Sequence, residues 1–220
     1  MHPLSQSIMR MGGVPYEDFL LYTKVDPNAH IGVVADPGIT TSSKVTLTAL
    51  SRIDSAYLYK DRGAGYWNKT ITALSEWTPS ASSGTSSIGI LSAFANEVGE
   101  ANTGTPNSIH VYANKDGAGA HNLYINEYDG GVNYQVGAYV TTAGTKYYLK
   151  LVRDLLGSFG NATLYIYSDA ARTVLLSTLT LALHTSIKNY RYNYAVQSYN
   201  DGNGTLIFYG VFEKLNISQV

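Results

Sequence analysis

From Lys146 to Leu181 the chain alternates apolar and polar positions with a period of two, interrupted by short turns. Over Lys146–Arg153, Tyr147, Leu149, Leu151 and Arg153 fall on one face and Tyr148, Lys150 and Val152 on the other. Asp154–Gly160 reads as a turn region, after which Asn161–Ser168 sets Leu164 and Ile166 against Tyr165 and Tyr167. The turn Asp169–Arg172 then leads into a third run, Thr173–Leu181. Strand side chains point alternately to opposite faces. This pattern in Tyr, Val, Ile, Leu and Thr therefore predicts antiparallel strands with one buried face.

Similar runs recur along the chain at Asp18–Val25, His30–Ala35, Lys44–Arg52, Ala56–Lys60 and Trp67–Trp77. Ile88–Ala95 is almost continuously apolar, as a central strand covered on both faces would be. Ile109–Ala113, Asn122–Tyr128 and Asn133–Val140 read as a meander, and Tyr190–Tyr199 and Thr205–Ile217 close the chain. Turns are expected at Asn114–Gly119 and at Asp129-Gly130-Gly131, where glycine supplies the positive φ of a tight hairpin. About a dozen strands at this spacing, with very little helix, predict a single-domain antiparallel β-sandwich. Helix is confined to a turn or two in the 95–101 and 182–189 connections. Residues 1–16 lack strand periodicity and are expected to form an N-terminal arm docked on the domain or on a neighbouring subunit, with the sandwich spanning 17–220.

Composition narrows the function classes. The 220-residue chain has a net charge of −1, only 14% charged residues and no basic block, which speaks against nucleic-acid binding through phosphates. It has no cysteine, so disulfides, thiolate nucleophiles and cysteine zinc sites are excluded. MHPLSQSIMRMGGVPYEDF holds no apolar core of signal-peptide length, and no run approaches the ~18 apolar residues of a membrane span. Four Asn-x-Ser/Thr sequons (Asn68, Asn161, Asn203, Asn216) are expected by chance in so polar a chain.

One group of segments goes beyond periodicity. It runs from Tyr147-Tyr148-Leu149-Lys150 and Arg153 through Leu164-Tyr165-Ile166-Tyr167-Ser168-Asp169-Ala170-Ala171-Arg172. Leu175 to Leu179, Tyr190–Ser198 and Gly210-Val211-Phe212-Glu213-Lys214-Leu215 complete it. Together they resemble the concanavalin A-like lectin/glucanase (jelly-roll) superfamily, in versions common among bacteriophage and environmental proteins. The resemblance implies two packed sheets with a concave, lectin-like face.

Glycoside hydrolases of that superfamily carry a strand resembling Glu-x-Asp-x-x-Glu. The nearest match here is Glu127-Tyr128-Asp129-Gly130-Gly131-Val132, which ends in valine. Retaining hydrolysis needs two carboxylates about 5 Å apart. Glu127, Asp129, Glu97 and Glu100 are therefore expected to be solvated turn acids, and no catalytic residue is expected. The charged residues of the Lys146–Leu181 stretch (Lys146, Lys150, Arg153, Asp154, Asp169 and Arg172) are expected at strand ends or on exposed faces, without acid partners. No Gly-x-Ser-x-Gly elbow or phosphate-binding glycine loop occurs. Lectins of this fold use calcium, which takes six to eight oxygens. The turn around Asp201 and Asn203 is the least unsuitable candidate, and no cofactor is otherwise expected. The five histidines lack metal-binding spacing, although His110 and His121 could be neighbours across the meander.

Tyrosine stands out, with nineteen against five Phe and two Trp. Tyrosine offers a broad face at low entropy cost and a hydroxyl that tolerates water, which suits protein contacts and sugar stacking. Tyr124, Tyr134, Tyr148, Tyr165, Tyr167 and Tyr192 form the expected contact or glycan face, whereas Trp67 and Trp77 are expected in the core. These features predict a non-enzymatic virion component (capsid decoration, tail or fibre-associated) made in a host cytoplasm and contacting its own copies or other virion proteins. A protein that is not viral would be extracellular by a route not visible in the sequence. The alternative is a carbohydrate-binding module for a surface or plant polysaccharide.

Overall fold

A computed structural model of the chain describes residues 16–35, 41–81, 86–94, 98–99, 107–184, 190–198 and 203–220. Fourteen strands occur among the described residues. The first seven are β1 (Thr23–Val25), β2 (Ile31–Val34), β3 (Lys44–Arg52), β4 (Tyr57–Asp61), β5 (Ile71–Pro79), β6 (Ser86–Phe94) and β7 (Ser108–Lys115). The rest are β8 (His121–Asp129), β9 (Val132–Thr141), β10 (Tyr147–Arg153), β11 (Asn161–Tyr167), β12 (Leu175–Ala182), β13 (Tyr192–Ser198) and β14 (Asn203–Gln219). They build two antiparallel seven-stranded sheets, A in the order β1-β4-β13-β6-β7-β8-β9 and B in the order β12-β11-β10-β5-β14-β3-β2. The protein is an all-β sandwich. The arm 1–15 and the 185–189 connection lie outside the described residues.

Alternation decides what each strand buries. In β10 the Tyr147, Leu149, Leu151 and Arg153 side chains are buried while Tyr148, Lys150 and Val152 are half-exposed. In β11, Leu164 and Ile166 are buried and Tyr165 and Tyr167 half-exposed. The apolar β6 is the middle strand of sheet A, consistent with its pattern. Trp77 on β5 is fully buried and stacks on Phe208 of β14 at 6.0 Å, with 30° between the rings. Its indole lies over Gly210, where any Cβ would collide with the ring. Trp67 is buried too, at 4% exposure. Gly130 and Gly131 both hold positive φ (58° and 83°) in the β8–β9 hairpin, as predicted; in the preceding hairpin the positive φ falls on Gly119.

Several expectations are corrected. Asp18–Val25 is not one strand, because the Asp18 carboxylate accepts the Leu20 N–H (3.0 Å) and Tyr22 N–H donates to the Phe19 carbonyl (3.2 Å). That winds Phe19–Leu21 into a 3-10 turn before β1. The predicted Trp67–Trp77 strand begins only at Ile71, since Gly63 and Gly65 hold positive φ and Asn68 N–H closes a turn on the Gly65 carbonyl (3.1 Å). Lys146 does have acid partners, Glu76 at 2.9 Å and Glu213 at 2.6 Å. Arg153 is buried, over the Tyr190 ring at 5.7 Å. His110 and His121 are not neighbours: they pair with Asn126 and Lys115 and face opposite sides of sheet A.

Replacing Trp77 by alanine removes the largest fully buried side chain among the described residues and should lower unfolding stability by about 3–5 kcal/mol, read from the urea midpoint. A loss no greater than that of Tyr148→Ala, which empties only a half-exposed position, would contradict this packing.

Candidate functional site

Strand register places residues that are distant in sequence in rows across the outer face of sheet A. One row runs Val25, Tyr57, Gln197, Gly89, Tyr112, Tyr124 from β1 to β8. The next runs Thr23, Tyr59, Tyr194, Ser92, His110, Asn126, Gln135. The third runs Asp61, Tyr192, Phe94, Ser108, Tyr128, Asn133. Alternate residues of the same strands, such as Leu58, Ile109, Val111, Leu123 and Ile125, fill the core. Tyr128 and Tyr194 form a separate buried cluster with Tyr57, Tyr59 and Tyr192 packed on it.

Within this face Tyr59 stacks on Tyr194 at 5.6 Å and meets Tyr192 edge-on at 5.8 Å, while Tyr57 contacts Tyr194 at 5.8 Å. Such arrangements suit the ring quadrupoles. Across the sheet His110 lies parallel to Tyr128 at 5.7 Å and 8°, and Tyr112 meets Tyr124 at 6.1 Å. The outcome is two half-exposed tyrosine groups, Tyr57/Tyr59/Tyr192 and Tyr112/Tyr124, on either side of a buried centre holding Tyr194, Gln197, His110 and Asn126. The Gly99 N–H donates to the Tyr194 hydroxyl at 3.1 Å, so the chain crosses the face there. Gln197 lies flat across Gly89, a position any Cβ would block. Asn126 Nδ2 donates to Asn133 Oδ1 at 3.2 Å. Asn126 Oδ1 and His110 Nε2, neighbours in one row, are buried without a hydrogen-bond partner among the described residues. Burial pulls the His110 pKa down to about 3, so the ring is neutral at ordinary pH.

The outer face of sheet B differs. Glu76 and Glu213 are direct cross-strand partners, and two lysines compensate that like-charge pairing. Lys146 bridges both acids and Lys214 reaches Glu76 at 3.1 Å. Burial acts to raise the Glu76 pKa, but hydrogen bonds from Lys146 and Lys214 outweigh it and hold the carboxyl below its ordinary value. Lys150 lies over the Tyr165 ring at 5.4 Å.

The tyrosines expected on one contact face are therefore divided. Tyr124 and Tyr192 lie on the outer face of sheet A, and Tyr148, Tyr165 and Tyr167 on that of sheet B. Tyr134 points inward and stacks on His184 at 3.5 Å. The expectation of solvated acids fails for Glu127 and Asp129, which are 0% and 3% exposed. Glu127 accepts from the His184 N–H (3.0 Å) and contacts its Nδ1 (2.9 Å). Glu97, Glu100 and Asp201 lie outside the described residues, and of Asn203 only the backbone is described, as the first residue of β14. No three His, Asp or Glu side chains converge on a metal-sized site among the described residues. Sequence reasoning missed Tyr57, Tyr59, Tyr112, Tyr194, Gln197 and Asn126 as one site. The register that joins them across five strands leaves no spacing signal along the chain.

No family model matches the sequence, and no curated protein does. Solved structures share the fold. Tailspike protein 2 from Escherichia coli O157:H7 bacteriophage CAB120 is 14% identical, with a TM-score of 0.56 over 96% of this chain and 27% of that one. A legume lectin-like domain from Entamoeba histolytica is 12% identical, with a TM-score of 0.57 over 91% of both chains. The alginate lyase Aly36B is 11% identical, with a TM-score of 0.55 over 91% of this chain and 97% of that one. The chain thus spans about a quarter of the tailspike's length. At these identities the likeness is one of fold, and it is consistent with a concanavalin A-like sandwich. One expectation is corrected: the fold accommodates lyases as well as lectins, so the lack of recognisable catalytic motifs no longer argues that this protein is not an enzyme.

Because His110 is neutral when folded and protonates near pH 6.5 when unfolded, it contributes stability above that pH that is lost as pH falls toward 3. His110→Phe should flatten the fall in stability between pH 6.5 and 5 by about 1.4 kcal/mol per pH unit at most, as measured by urea unfolding. An unchanged slope would mean that the imidazole is not buried.

Proposed function

We propose that this chain is a polysaccharide-recognising domain of a virion surface protein, with its sugar platform on the outer face of sheet A. The observation that carries the reading is the aromatic and amide lining of that face. Half-exposed tyrosines stack on the flat apolar faces of sugar rings, and amides bond the hydroxyls around the ring edge. The fold shared with a bacteriophage tailspike and a legume lectin-like domain supports both parts of the reading. On it, the protein reaches the outside of the cell as part of the released particle.

Contacts with further copies belong to the same proposal. Edge strands β9 and β12 are ten and eight residues long and contain no charged residue, whereas β1 and β2 at the opposite edges have only three and four residues. Long uncharged edges leave open backbone ladders that a second chain can pair with.

Affinity electrophoresis through polysaccharide-containing gels tests the sugar platform. Tyr59→Ala and Tyr112→Ala should each weaken retention by about 1 kcal/mol, roughly fivefold, while Tyr148→Ala on the other sheet has no effect. Equal retention of all three would refute the assignment. Light scattering should show a species larger than the 23.8 kDa chain that Thr180→Lys on β12 dissociates. A wild-type monomer at high concentration would remove the edge from the proposal.

A further inference from the structure

We infer that the ligand of the outer face of sheet A is an uncharged polysaccharide, held over more than one sugar unit; this rests on the reading of that face as the glycan site. Charge is the first argument. In the three rows Asp61 is the only charged residue, at the margin, and Arg191 neutralises it through contacts of 2.7 and 2.5 Å. That guanidinium lies over the Tyr192 ring at 5.3 Å and is already engaged. The other described side chains are tyrosines, amides, small apolar or hydroxyl groups and an imidazole that burial keeps neutral. Close by, Asp116 sits beside Tyr124, whose hydroxyl pKa is raised by burial and by that carboxylate.

A uronate or sulfate on this face would shed water without meeting an uncommitted cation among the described residues of the three rows, and would feel Asp116 as well. Burying such a charge without a partner is costly. Hydroxyls meet no such penalty, since each can donate and accept. Cations elsewhere do not redirect a polyanion to sheet B, because Lys146 and Lys214 are paired with Glu76 and Glu213 and Lys150 lies over Tyr165.

Span is the second argument. Tyr57 and Tyr112 occupy one row, separated by β13 and β6. At about 4.8 Å per strand step they stand roughly 14 Å apart, more than one sugar ring covers. A ligand that engages both tyrosine groups is therefore a short oligosaccharide lying across the strands.

The test is affinity electrophoresis of the full chain against uncharged polymers (β-glucan, xylan, mannan) and against alginate and polygalacturonate, at low and high salt. Retention by at least one uncharged polymer, unchanged by salt, is expected. The corresponding monosaccharide should compete roughly tenfold more weakly than its oligosaccharide, because it reaches one tyrosine group only. Salt-sensitive retention by alginate or polygalacturonate that Tyr112→Ala removes would overturn the inference while keeping the site. Retention that neither Tyr59→Ala nor Tyr112→Ala alters, in variants with wild-type thermal midpoints, would overturn the site itself, as would no retention by any polymer.

Discussion

The sandwich depends on Trp77 lying flat between the sheets. Its indole stacks on Phe208 and covers Gly210 of the neighbouring strand β14. An interior packed at crystal-like density leaves no room for a Cβ there. Because β5 and β14 are adjacent in sheet B, this contact fixes which residues of both strands face inward. Pairing then passes the same choice of face to the other strands. Once one face of every strand is committed to the core, the other becomes available for function.

The two sheets use that second face differently. On sheet B the cross-strand acids Glu76 and Glu213 are held by Lys146 and Lys214, and the tyrosines stand beside charges already satisfied within the chain. On sheet A the rows contain almost no charge, and their rings contact one another in two groups, β4 with β13 and β7 with β8. Asn126 Oδ1 and His110 Nε2 are buried there without a hydrogen-bond partner among the described residues. Ion pairs on an exposed face contribute little and need no ligand, whereas an uncharged aromatic face gains from covering by another flat, hydroxylated surface. This difference is why the proposed sugar platform falls on sheet A rather than sheet B.

Much of the fold was legible because period-two patterning is a local property. The opposed faces of β10 and β11 and the Asp129-Gly130-Gly131 hairpin could be read directly from the chain. The departures have local causes too: the Asp18 carboxylate wound Phe19–Leu21 into a turn, and Gly63 and Gly65 delayed the start of β5. The site was less legible. Alternation tells which residues share a face of one strand, but not which face is inside when both carry tyrosine. Tyr134 points to the core and stacks on His184, while Tyr124 on the paired strand points outward. Tyr59, Tyr194 and His110 fall in one row only through the order β4-β13-β6-β7, a product of long-range pairing that leaves no spacing signal. Glu127 misled for a similar reason: its hairpin suggested solvent, yet its parity on β8 directs it inward to His184.

The most direct measurement follows the tyrosine ring resonances by NMR, with tyrosine isotopically labelled, during titration with an uncharged oligosaccharide. The account predicts shifts concentrated at Tyr57, Tyr59, Tyr112, Tyr124 and Tyr192, with Tyr148, Tyr165 and Tyr167 unmoved. Shifts confined to those three residues of sheet B would contradict it.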